Sequence, residues 1–212
     1  MKGLGRKYEP DVRDHLLRNA MVAVTRPKTK TWRLLWHGDQ GDSPRCVGFA
    51  WYGLLRSSPI LNREPQPVPL YEAAQRYDEW PGEGYEGTSV RGGAKALQQQ
   101  FNELSAYAFA FTLDDALNWM GTEGPTVWGI NWYSGMDTPD PKTGLVRVTG
   151  SIRGGHAIVC LGYNEYTDRL VFQNSWGLDW GLHGRFQVGY PDAIRLLSED
   201  GEVCSPTEVH LP

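Results

Sequence analysis

A chain of 212 residues has room for one large domain or two small lobes around a substantial core. Its net charge of −4, with no basic block, sets nucleic acid aside as a partner. No apolar run reaches the ~18 residues that cross a bilayer, and the opening stretch lacks the apolar core of a signal peptide, so no membrane partner and a cytoplasmic location are expected.

Nine Trp, ten Tyr and 25 Gly point to a compact, turn-rich fold. Three cysteines are too few for a disulfide framework, which suits a reducing compartment. Residues 1–39 are polar and poorly patterned and are expected to wrap the body of one domain spanning 1–212. Within them Met21 to Val24 is a strand candidate, Lys28 to Lys30 a solvated turn, and Trp32 to Trp36 a short strand or arm. From about 40 to 120 helical signals dominate. Ser43-Pro44 predicts a helix start with Ser43 as cap, Pro44 in the first turn, and an apolar run to Leu55. A second helix is expected over Pro69 to Glu79. Thr88-Ser89 caps a third that runs to about Leu104.

Tyr107, Phe109 and Phe111 alternate as in a strand, and Thr112 to Asp115 opens a short helix. From about 121 to 212 strands are expected: Val127 to Trp132, Val146 to Thr149, His156 to Tyr163, Leu170 to Asn174 and Arg185 to Val188. Helices first and strands after predict an α+β chain of two lobes with a cleft between them.

Cys46 falls at a helix start, where free N–H groups and the helix dipole favour a thiolate. Gln40, six residues earlier, offers a side-chain amide donor to the same place. A cysteine nucleophile also needs a base and a group that orients the base. His156 opens the apolar strand Ala157 to Leu161, and Asn174 ends the next one. A hairpin through 164–168 would bring His156 and Asn174 together. Cys160 reads as a core residue and Cys204 as a free thiol. Asp114 and Asp115 read as helix caps. Asp137 and Asp140 lie in a turn-rich loop near the expected cleft. No metal-ligand spacing recurs, so no metal or other cofactor is expected.

Gln40-x5-Cys46, Gly154-Gly155-His156-Ala157 and Asn174-Ser-Trp-Gly-x2-Trp-Gly-x2-Gly184-Arg-Phe together resemble the papain-like cysteine peptidases, family C1. The resemblance covers roughly residues 3–190. It implies a two-lobed α+β fold with a helical lobe, an antiparallel β-barrel-like lobe and the active site between them. It further implies Cys46 as nucleophile, His156 as base and acid, Asn174 as orienting group and Gln40 as oxyanion donor. Trp176 matches the indole that shields the His–Asn bond, and Gly92-Gly93 resembles the edge that pairs with substrate backbone. A thiolate–imidazolium pair is expected of Cys46 and His156.

The opening residues and Gly87 to Gly93 resemble short bacterial and phage-type members without a long propeptide. The implied partner is a peptide or protein substrate, phage or bacterial proteins among the candidates. Ser43 stands where typical members carry the cysteine of a disulfide. His156 follows Cys46 by 110 residues, short of the family's usual ~130–150, so substrate preference does not transfer. A silent peptide-binding module, or an amidase or acyl transferase acting on cell-wall peptides, stands as the alternative.

Overall fold

The computed structural model describes residues 2–21 and 25–210. The strand candidate at Met21 to Val24 thus lies largely outside the described residues. In chain order the elements are β1 (Arg6–Lys7), β2 (Thr29–Thr31), α1 (Cys46–Leu55), α2 (Pro67–Tyr77), β3 (Thr88–Ser89), α3 (Val90–Gln99), β4 (Leu104–Ala110) and α4 (Leu113–Thr122). They continue with β5 (Thr126–Tyr133), β6 (Ile152–Asn164), β7 (Arg169–Gln173), β8 (Arg185–Gly189), α5 (Tyr190–Ser198) and β9 (Glu202–Val209). The fold is α+β.

The large sheet runs β4-β9-β5-β6-β7-β8, with β2 also on β6, and every pairing in it is antiparallel. Successive side chains of a strand point to opposite faces, and this sheet uses both. Ala157, Val159 and Leu161 of β6 join α1, α2 and α3 in one core. Ile158 and Cys160, one residue out of phase, join α4, α5 and the tryptophans of β5 in a second core. Although α4 begins before residue 121, its Ala116, Leu117, Trp119 and Met120 pack into that second core.

All ten residues of α1 are buried, as expected of a helix apolar on all sides. Its start differs from expectation. The first helical residue is Cys46, Arg45 is the cap position, and no side chain caps it. The Ser43 hydroxyl is engaged elsewhere, donating to the Gln40 carbonyl at 2.6 Å, and this turn holds Pro44 outside the helix. Ser89 and Thr112 do cap α3 and α4, accepting from Gly92 N and Asp115 N. The third helix ends at Gln99 rather than near Leu104, and Asn102 takes the left-handed φ of 55° that turns the chain into β4.

Two strand readings change. Lys28 to Lys30 is not simply a turn, because Thr29–Thr31 pairs with Gly162 to Asn164 of β6. Val146 and Val148 are buried in the second core without forming a strand, and only Leu145 makes an isolated bridge, to Gln187. The apolar alternation there comes from packing rather than from a ladder.

Candidate active site

The hairpin of β6 and β7 places the two polar residues expected together. His156 Nε2 lies 2.8 Å from Asn174 Oδ1. That oxygen also accepts from Ser175 N at 2.8 Å, so it is the acceptor and Nε2 carries the proton. Nδ1 of a neutral ring with that tautomer holds the free lone pair, and it is buried without a hydrogen-bond partner. His156 stacks on Trp176 with ring centres 5.0 Å apart and meets Trp132 edge-on at 5.0 Å. Both indoles are buried and keep water from the His156–Asn174 bond.

Cys46 comes to the same place from the helical side. Its Sγ accepts from Ala157 N at 3.4 Å, the residue next to His156. Gln40 is fixed at both ends of its amide. Oε1 accepts from the Ser175 hydroxyl at 2.5 Å, and Nε2 donates to the Ser43 carbonyl at 2.7 Å. The backbone of Gln40 also donates to Ser175 O at 2.8 Å. One amide hydrogen of Gln40 remains for a further acceptor.

Burial acts against the expected ion pair. Cys46 and His156 are both 0% exposed. Burial pushes the thiol up to about 12, against the smaller opposing pull of the backbone of Ala157, Val47 and Arg6 and the charge of Arg6. Burial pushes the imidazole down to about 4, with the Asn174 bond acting the other way. Both directions favour the neutral forms, and no hydrogen bond joins Cys46 Sγ to His156 among the described residues.

Gly92 and Gly93 are not brought to the site. Both lie inside α3, and the Gly92 N–H is taken by the Ser89 cap. A Cβ on Gly93 would sit 2.3 Å from the Trp51 indole, so this glycine lets α3 close on α1. Just before α3, Thr88 N instead bonds an extended stretch of the chain itself, donating to Gly5 O at 2.9 Å.

Asp137 accepts from the Trp132 indole at 2.9 Å and pairs with Arg153, so it holds the aromatic wall. Asp140 accepts from the backbone of Lys142 and Thr143 and shapes its own turn. Two residues of the site were not singled out by sequence reasoning. Ser175 lies within the Asn174-Ser-Trp run, and its neighbours were the available signal. Trp132 carried none beyond its strand.

No protein-family model matches the chain. Among solved structures it is similar to xylellain, a cysteine protease from Xylella fastidiosa. The TM-score is 0.79 over 99% of this chain and 97% of that one, at 16% identity. It is also similar to procathepsin B S9 from Trypanosoma congolense, with TM-score 0.72 over 98% and 87% of the two chains, at 13% identity.

The fold is that of the papain-like cysteine peptidases.

Sequence relatives point the same way over shorter stretches. An uncharacterised peptidase C1-like protein of Acanthamoeba polyphaga mimivirus is 30% identical over 118 residues, 52% of this chain and 36% of that protein. Cathepsin B-like CP3 of Giardia intestinalis is 34% identical over 86 residues, 39% of this chain and 26% of that protein. The chain thus spans about a third or less of the length of the curated relatives it matches. No described helix is long and apolar enough to cross a membrane.

Proposed function

We propose that the protein is a cysteine-type peptidase of the papain-like kind, acting on peptide or protein substrates. The observation that carries this reading is the His156 Nε2–Asn174 Oδ1 bond of 2.8 Å beside a thiol at the first residue of a buried helix. Asn174 fixes the ring so that the unprotonated Nδ1 is free to take the Cys46 proton. The thiolate then attacks the carbonyl carbon of a bound peptide. Charge on the carbonyl oxygen is met by the free hydrogen of Gln40 Nε2 and by the Cys46 backbone N–H, which has no helical partner at the first position. The imidazolium returns its proton to the leaving amine. Water, deprotonated by the same ring, opens the thioester.

Burial favours the neutral forms of both groups while the site is covered. A substrate has to displace what covers it before proton transfer becomes favourable. The test is hydrolysis of a mixed peptide library with product mass spectrometry, and Cys46→Ala as the control. Cleavage that disappears in the variant is expected. An intact library with folded, reduced protein would overturn the reading, and ligated or deamidated products would favour the transferase or amidase alternative.

A further inference from the structure

A hollow of about 170 Å³ opens where the loop after α1, the end of α4 and β9 meet, walled by Pro59, Ile60, Trp119, Pro125, Pro206 and Val209. Cys46 is the first residue of α1 and Pro59 lies beyond its last, Leu55, so the hollow is at the far end of a buried helix about 15 Å long. Two polar groups border it with different standing. The Ser205 hydroxyl is spent on the Pro125 carbonyl, at 3.1 Å. The Trp119 indole N–H is buried and has no hydrogen-bond partner among the described residues, although Trp119 is only 5% exposed. An unpaired buried donor is costly and calls for an acceptor. The hollow is the open space that its ring borders.

Size and chemistry narrow what fits. A cavity of about 150 Å³ with apolar walls holds one benzene ring. Flat proline walls suit such a ring, and the orphan N–H asks it to carry one acceptor. An anion is disfavoured by Glu123, exposed at the rim. An amide would accept the bond but bring two donors against apolar walls. A phenol is neutral, and its oxygen accepts while its own proton stays free for water. The edge of the sheet says how a phenol is delivered. β9 pairs with β4 as far as Val209, but with β5 only through Glu202, Val203 and Cys204. Among the described residues no strand lies on the β5 side of Ser205 to Val209. That open edge borders the hollow, and an extended chain can lie along it. Pro206 has no N–H and interrupts a full ladder there, so a side chain placed in the hollow has to supply much of the hold.

We propose that this hollow is a second binding site, which takes the tyrosine ring of an extended polypeptide lying on the open edge of β9. The Trp119 indole donates to the phenol oxygen and so tells tyrosine from phenylalanine. The site stands independently of the peptidase reading, because none of its residues belongs to the proposed machinery of the cleft.

The test is a nuclear magnetic resonance titration of the full ¹⁵N-labelled chain with capped Ala-Tyr-Ala and capped Ala-Phe-Ala peptides. Affinities are read from the backbone amides of Thr207 and Val209. Among the nine tryptophans, the indole signal that Trp119→Phe removes is that of Trp119. The tyrosine peptide is expected to move this signal downfield and to bind about fivefold more tightly than the phenylalanine peptide, the worth of one net hydrogen bond. Trp119→Phe is expected to bind the two equally. If that variant fails to fold, judged by its melting curve, Gly124→Leu serves instead. Gly124 does not have a left-handed φ, and a Cβ on it meets only Pro59 Cδ, at 3.6 Å. Its longer side chain fills the hollow and is expected to abolish binding of both peptides. An indole signal unmoved by the tyrosine peptide, as for a hollow that holds water alone, would overturn the proposal. So would equal affinities in the natural chain, a tyrosine preference that survives Trp119→Phe, undiminished binding by Gly124→Leu, or binding of free p-cresol without the tyrosine peptide.

Discussion

The groups proposed to react depend on a few neighbours whose loss has separable effects. Gln40 is oriented by Ser175 at 2.5 Å and by the Ser43 carbonyl at 2.7 Å. Gln40→Ala is expected to lower kcat by about 10²–10³ with little change in KM, since such a donor acts chiefly on the charged intermediate. Steady-state kinetics on the best library peptide checks this. Asn174→Ala leaves the His156 Nε2–H buried and unpaired at a cost of about 1–3 kcal/mol, so it should lower both kcat and melting temperature. The resting thiol, pushed up to about 12 by burial, should alkylate slowly at neutral pH. Its rate in the natural chain is expected to climb steadily from pH 7 to 10 without a plateau; a plateau below pH 8 would show a preformed thiolate. Cys46, His156, Asn174 and Gln40 were legible because short motifs and helix or strand ends carry them. Trp132 was not, because a tryptophan in an apolar strand looks the same whether it packs on a core or on the ring of a histidine such as His156. The direction in which burial shifts the two groups was not legible either, since it is set by residues far away in sequence.

Local chemistry made some elements legible and left others hidden. The starts of α3 and α4 were readable from Ser89 and Thr112, whose hydroxyls serve the first-turn amides. The start of α1 lies two residues later than its sequence suggests because the Ser43 hydroxyl bonds the Gln40 carbonyl instead. The β9 strand gave little signal, since Pro206 interrupts it and Ser205 and Glu202 are buried polar residues. Its place between β4 and β5 is set by pairing over long sequence separations. Gly93 was visible as a glycine but not as a packing contact. Gly93→Ala would press a methyl against the Trp51 indole, 2.3 Å from its nearest atom. Overpacking of this kind costs about 1–3 kcal/mol. The melting temperature should drop by several degrees while kcat and KM of the folded protein stay as they were. A raised KM with an unchanged melting temperature would instead restore a substrate-edge role to this position.

Across the whole molecule, one sheet serves two cores, and the stretch around Arg6 ties the helical side to it. That tie has a pH signature through Glu202. The pattern of helices and then strands made the α+β class legible, but a contact between residues 6 and 202 leaves no local trace. Burial pushes the Glu202 carboxyl up to about 7 from its ordinary 4.5, with the Arg6 charge and hydrogen bonds pulling the other way. The folded protein therefore holds this proton more tightly than the unfolded chain does. The stabilisation it brings is fully present below about pH 4.5 and is lost as pH rises through about 7. A shift of this size corresponds to a few kcal/mol, on the order of 1.4 per unit. Glu202→Gln keeps the shape of the neutral acid and cannot ionise. The natural chain should therefore lose melting temperature relative to Glu202→Gln between pH 5 and pH 8, with the gap smallest at pH 5. If the gap instead shrank as pH rose, the Arg6 charge would outweigh burial and the carboxylate would be the form the fold prefers. Calorimetry of the two proteins across that interval decides between burial and charge as the dominant force on Glu202.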